Sequence, residues 1–138
     1  MFLVQMAELR PRVLLADDFP SLLAAWRRLL TPSCDVVGEA RDGRSVVREV
    51  GALHPDVVVI DISLPDMSGL DACRVLKEEV ASTRVILVTA DGNRQLAEAA
   101  FRAGASAFVV KQSAADELPL AIRAVMAGQT YCTPFGGE

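Results

Sequence analysis

Val57-Val58-Val59-Ile60-Asp61-Ile62-Ser63-Leu64-Pro65 is the stretch around which the rest of the chain is organised. Four consecutive apolar residues, three of them valines, read as a strand buried on both faces, which is the habit of parallel sheets. The run stops at Asp61. In open α/β sheets the chemistry gathers at the carboxyl ends of the strands. Alone, Asp61 would do no more than cap its strand and face water. It gains weight because other strand-like runs end in groups suited to the same place.

Upstream, Val13-Leu14-Leu15-Ala16 is a first buried strand running into Asp17-Asp18, and Pro20 suits the first turn of a helix. Leu22, Leu23, Trp26, Leu29 and Leu30 recur at helical spacing until Pro32, with Trp26 read as core rather than as a ligand platform. Asp35 to Ala40 is a short second strand, and Asp42 is an N-cap for a helix carrying Val46, Val47, Val50 and Leu53. Pro55 stops that helix, and the lone histidine, His54, sits before it in a loop.

Downstream of the central strand, Ser68 caps a helix with Leu70, Cys73, Leu76 and Val80 on one face. Arg84 to Val88 is the fourth strand, ending at Thr89-Ala90. A weaker helix follows from Asn93 to Ala103, with Leu96, Ala99 and Ala100 inward and Gly104 closing it. Its alanine face buries little area, so it is expected to be the least firmly held. Ala107 to Val110 is the fifth strand, ending at Lys111, and Leu118, Ala121, Ile122, Val125 and Met126 mark a last helix. Pro119 would break a hydrogen bond inside a helix begun near Ser113, so a later start with Asp116 as N-cap, or a kink, is expected.

Five strands alternating with five helices predict an α/β fold, a doubly wound, five-stranded parallel sheet of the flavodoxin-like class with helices on both faces. Residues 1–11 read as a leader, 12–128 as the folded domain and 129–138 as the start of a linker or tail. The net charge of -4 argues against a dominant nucleic-acid surface. No apolar run suits a membrane span, the amino end lacks the layout of a signal peptide, and a cytoplasmic location is expected. Cys34, Cys73 and Cys132 lack metal-ligand spacing and read as reduced thiols.

In such a sheet Asp17-Asp18, Asp61, Thr89 and Lys111 lie along one edge. Converging carboxylates repel one another, and a divalent cation together with the lysine ammonium relieves that repulsion. Oxygen ligands favour Mg2+ over zinc. Asp61 is ionised at neutral pH and can attack phosphorus directly, with Lys111 and the Thr89 hydroxyl placed for the phosphoryl oxygens. Ala90 leaves the approach open.

These residues together bring the chain close to a known family. Leu14-Leu15-Ala16-Asp17-Asp18, Asp61 through Gly69, Thr89-Ala90 and Lys111 resemble the receiver domain of bacterial two-component response regulators. The resemblance implies that Asp61 is phosphorylated by a sensor histidine kinase or a small phosphodonor. Asp17, Asp18, Asp61 and the Ser63 main-chain carbonyl would hold Mg2+, and Thr89 and Lys111 would contact the phosphate. Phe108 matches the aromatic switch position of the family, where a plain core phenylalanine is the even alternative. Ala103 to Phe108 and Ala121 to Gly128 look like receivers of the NarL/FixJ group, which precede a LuxR-type helix-turn-helix, and Tyr131-Cys132-Thr133-Pro134 looks like the start of their linker. No helix-turn-helix is found within these 138 residues. The favoured expectation is therefore the amino-terminal part of a longer transcription regulator, with a homodimer and DNA binding through that further domain as outputs. A single-domain regulator is the alternative. Gln112 follows the lysine where many receivers have proline, and Phe19 stands where the subgroup often has histidine.

Three other readings compete. A receiver fold used only for docking would not need the acidic, threonine and lysine positions. A Mg2+-dependent phosphatase would carry a second aspartate at position 63, where this chain has Ser63. A flavin or nucleotide binder wants a phosphate-cradling loop after the first strand, where Asp17-Asp18 would repel phosphate.

Overall fold

Alternating strands and helices from Arg12 onward build a parallel sheet in a computed structural model that describes residues 10–135. Most of the leader read over residues 1–11 lies outside the described residues, as do the last three residues of the tail. The strands are β1 (Arg12–Ala16), β2 (Asp35–Ala40), β3 (Val57–Asp61), β4 (Arg84–Thr89), β5 (Ala107–Val110) and β6 (Tyr131–Cys132). The helices are α1 (Pro20–Leu30), α2 (Gly43–Leu53), α3 (Gly69–Glu79), α4 (Arg94–Arg102) and α5 (Ala114–Met126), with a 3-10 turn over Lys111–Ser113 before α5. The strand order is β2-β1-β3-β4-β5-β6, and every pairing is parallel.

The period of two sorts each strand between two cores. Leu14, Val58, Ile60, Val85, Leu87 and Phe108 face the layer of α2, α3 and α4. Val13, Leu15, Val57, Val59, Ile86, Val88, Ala107 and Val109 face α1 and α5, where Leu23, Trp26, Leu118 and Ile122 meet them. Trp26 is core, as expected. No helix among the described residues is long and apolar enough to cross a membrane.

Local chemistry sets the helix ends. Pro20 opens α1, where its missing N–H costs nothing. Asp42, Ser68 and Asn93 accept from the backbone N–H of Ser45, Asp71 and Leu96 and so cap α2, α3 and α4. His54 ends α2 in the left-handed region at φ 48°. Gly104, at φ 107°, closes α4 in a Schellman motif: its N–H donates to Phe101 O, and the N–H of Ala105 donates to Ala100 O.

Three expectations need correction. First, the sheet has six strands, because Tyr131–Cys132 folds back beside β5 instead of leaving as a linker. Second, the inward alanines of α4 are Ala97 and Ala100, while Ala99 is only half-buried. The apolar stripe of that helix is short, so its phase is poorly fixed by pattern. Third, α5 does not wait for Asp116. It begins at Ala114 and contains Pro119. Ala114 and Leu118 are both buried, and the preceding 3-10 turn already winds the chain. Burial of those two side chains outweighs the hydrogen bond lost at Pro119. The carbonyl left without its donor belongs to Ala115, a residue open to water.

Candidate functional site

The strand order reverses between β1 and β3, and the carboxyl ends of those strands form the crevice that open α/β sheets use for ligands. Strand phase decides what points there. Asp17 continues the phase of Val13 and Leu15, Asp61 that of Val57 and Val59, and Lys111 that of Ala107 and Val109. All three follow the α1–α5 side, so they converge.

Lys111 Nζ lies 2.8 Å from Asp17 Oδ2 and 3.2 Å from Asp61 Oδ2. Asp17 is 0% exposed and Asp61 3%, whereas Asp18 is open to water. Asp17 Oδ1 accepts from the N–H of Phe19 at 2.8 Å. Asp17 Oδ2 is buried without an aligned hydrogen bond, and its contact with the ammonium is one of charge. Asp61 Oδ1 accepts from the N–H of Ser63 at 3.2 Å. Burial raises the Asp61 carboxyl above the ordinary carboxylate range, and neighbouring Asp17 adds to the rise against the Ser63 N–H and the lysine. For Lys111, burial pulls downward, but Asp17 and Asp61 outweigh it and hold the ammonium above the usual lysine range.

Asp17, Asp18 and Asp61 can each bring one carboxylate oxygen within 4.8 Å of the others. Three hard carboxylate oxygens drawn to one point fit a divalent cation such as Mg2+ and favour it over zinc.

Thr89 and Phe108 are placed differently. Thr89 ends β4 one residue out of phase, with Val85 and Leu87 on the α2–α4 side, and its hydroxyl accepts from the N–H of Asp91 at 3.3 Å. It makes no described contact with Asp61. Phe108 is fully buried, 6.2 Å from the ring of Phe135. Ala90 is exposed, leaving the approach open. Phe19 is 60% exposed, with its ring centroid 6.0 Å from Lys111 Nζ.

The loop after Asp61 is held at both ends. Gly69 N donates to Ile62 O at 2.8 Å, and a Cβ at Gly69 would stand 2.8 Å from Asp61 O. Asp66 Oδ1 accepts from Gly43 N at 2.6 Å and Oδ2 from Arg44 N at 3.1 Å, which ties the loop to the start of α2. Those bonds hold the Asp66 carboxyl below its ordinary value. Sequence reasoning missed this anchor. An aspartate directly after Pro65, inside the loop, offers no local sign that its partners lie at the start of another helix.

Burial raises the thiols of Cys34, Cys73 and Cys132, that of Cys73 to about 11, and all three are free. Unreactive thiols are what burial of this kind produces.

The family model of the response regulator receiver domain matches residues 13–123. The response regulator UvrY of Escherichia coli (strain K12) is 36% identical over 121 residues, covering 86% of this chain and 56% of UvrY. This chain thus spans little more than half the length of that relative. Among solved structures, a LuxR-family two-component response regulator from Aurantimonas sp. SI85-9A1 superposes with a TM-score of 0.86 at 36% identity, covering 90% of each chain. The isolated receiver domain of RcsB from Salmonella enterica serovar Typhimurium, solved with the phosphomimetic BeF3-, gives 0.82 at 26% identity over 90% of this chain and 94% of that one. The phosphatase and flavin-binder readings find no match among these relatives. With its acidic crevice, its lysine and its sheet order accounted for, the chain belongs to the response regulator receiver domain family of two-component systems, in the company of LuxR-type regulators.

Proposed function

We propose that this chain is a phospho-accepting switch with Asp61 as the acceptor. The observation that carries the reading is Lys111 Nζ bridging Asp17 and Asp61 at 2.8 and 3.2 Å, within a group of three converging carboxylates. An Asp61 carboxylate oxygen attacks phosphorus of a phosphohistidine on a sensor kinase, or of a small acyl phosphate. A new O–P bond forms, the P–N or P–O bond to the donor breaks, and the donor leaves with that electron pair. Asp17, Asp18, Asp61 and the Ser63 carbonyl would hold Mg2+, which when bound neutralises charge on the phosphoryl oxygens. Lys111 gives up part of its contact with Asp61 to meet the incoming oxygens. Thr89, now turned away, rotates or shifts to donate its hydroxyl, and Phe108 repacks behind it. The chemistry is self-catalysed and turns over no external substrate.

On this reading residues 12–128 make up the receiver, and the segment after them first adds Tyr131–Cys132 to its sheet edge before continuing as a linker. The output is altered self-association, including a homodimer, and control of transcription through a DNA-binding domain outside these residues, in the cytoplasm.

Incubation with acetyl phosphate and Mg2+ should add one phosphoryl mass that is stable in acid and labile in base. Asp61→Ala should abolish it. Labelling that persists unchanged in that variant would reject Asp61 as the acceptor.

A further inference from the structure

The carboxyl-terminal segment 131–135 lies wholly beyond the region matched by the family, yet it is built into the site's support. Tyr131 N donates to Ser106 O at 3.2 Å, and Thr133 N donates to Phe108 O at 2.9 Å. The Thr133 hydroxyl accepts from Val110 N at 3.0 Å and donates to Glu117 Oε1 at 2.5 Å. Thr133 is buried, and the Phe135 ring rests against Phe108. One hydroxyl therefore joins the backbone immediately before Lys111, the first part of α5 and the tail. A cavity of about 380 Å³ separates Thr133 and Phe135 from Ala90 and Gly92, the residues that follow Thr89.

We propose that the free edge of β5 is a reversible docking surface for this chain's own segment Tyr131–Phe135, and that phosphorylation of Asp61 releases it. The proposal rests on Asp61 being the acceptor. Moving Lys111 toward a phosphoryl group shifts the Val110–Lys111 backbone. A buried hydrogen-bond pair tolerates little displacement, and no water replaces Thr133 while it is buried. The weakest adjoining element yields first. That element is the tail, because β6 has only two residues, Tyr131 and Cys132 are half-buried, and Pro134 is exposed. Its departure uncovers Phe108 and the β5 edge, a template for pairing with another strand. Linkage makes the coupling reciprocal: if the phosphoryl group loosens the tail, loosening the tail must tighten phosphoryl binding by the same factor.

The test uses the whole chain with Mg2+ and beryllofluoride as the phosphoryl stand-in. Hydrogen exchange at the Thr133 and Val110 amides should quicken at least several-fold on saturation. Thr133→Val and, separately, Phe135→Ala should bind beryllofluoride more tightly by a comparable factor, read from the concentration dependence of thermal stabilisation. Stabilisation of the wild type by beryllofluoride with unchanged or slower exchange at those amides would overturn the latch while leaving Asp61 as the acceptor. Affinity in both variants no higher than that of the wild type would overturn it as well. A wild type that beryllofluoride does not stabilise would instead strike at the acceptor assignment itself.

Discussion

Replacing Lys111 with methionine keeps much of the side-chain length and removes the charge. The ammonium sits 2.8 Å and 3.2 Å from two carboxylates that are 0% and 4% exposed at the side chain, while it is itself only 20% exposed. At an effective dielectric of 20, each contact near 3 Å has a gross attraction of about 5 kcal/mol. Desolvation of the ammonium cancels much of that, and removal of one partner from a buried pair typically costs about 3–5 kcal/mol because the remaining charges stay uncompensated. With a urea slope of roughly 2 kcal/mol per molar, the unfolding midpoint of Lys111→Met in EDTA at pH 7.5 should fall by about 2 M. The exposed Arg74–Asp71 pair is the control: Arg74→Met should cost under about 1 kcal/mol. Saturating Mg2+ should then stabilise Lys111→Met more than wild type, since the cation no longer competes with an ammonium for Asp61. A ligand at a hundredfold its dissociation constant contributes about 2.7 kcal/mol. A loss within the control's range, or equal gains from Mg2+ in the two proteins, would refute the claim that Lys111 balances these carboxylates.

Asp61→Asn should act in the opposite sense without metal. Burial raises the folded-state value of Asp61 above its unfolded value, so the folded chain binds that proton more tightly. Ionised Asp61 therefore disfavours folding at neutral pH, and the penalty shrinks as pH falls below the raised value and is gone below the unfolded one. Asp61→Asn should melt higher than wild type at pH 7.5 in EDTA, with the gap closing toward low pH, and a variant melting lower throughout would contradict this. Gly69→Ala would place a Cβ 2.8 Å from both Asp61 O and Ile62 Cα, contacts that backbone cannot relieve without moving. Overpacking of this kind costs about 1–3 kcal/mol, and Mg2+ affinity measured by calorimetry should weaken because the loop after Asp61 is displaced. Unchanged affinity would show that the loop absorbs the methyl group elsewhere. Pro119→Ala restores a donor for Ala115 O and should raise stability by about 1–2 kcal/mol, after allowing for the freer unfolded chain, read as a higher urea midpoint. A lowered midpoint would mean that the ring's own packing matters more than the missing bond.

Much of the sheet was legible because its strands are short, continuous apolar runs punctuated by Asp, Pro and Gly. The capping residues Asp42, Ser68 and Gly104 were legible for the same reason, since each acts on backbone a few residues away. What escaped depends on partners distant in sequence. Thr133 reaches back 23 residues to Val110, and Asp66 reaches 23 residues to Gly43. Nothing in Tyr131-Cys132-Thr133-Pro134 distinguishes a strand added to a sheet edge from an extended linker, because the hydrogen bonds that define it belong half to β5. Pro119 misled in the other direction. Its local preference is strong, but buried Ala114 and Leu118 set where α5 begins.

Strand phase explains both the convergence of the site and its exception. Asp17, Asp61 and Lys111 share one phase, so folding alone brings them into contact, and no loop flexibility is required. Thr89 is one residue out of that phase, and its hydroxyl is engaged by Asp91 N instead. A threonine in phase with the other three would already touch Asp61 in the resting chain, and phosphorylation would then find little left to rearrange. If Asp61 is phosphorylated as proposed, that misregister leaves the Thr89 hydroxyl with a hydrogen bond to make only once a phosphoryl group supplies the acceptor. The differential contact that any ligand-driven shift in population requires is thus written into the pleat of β4.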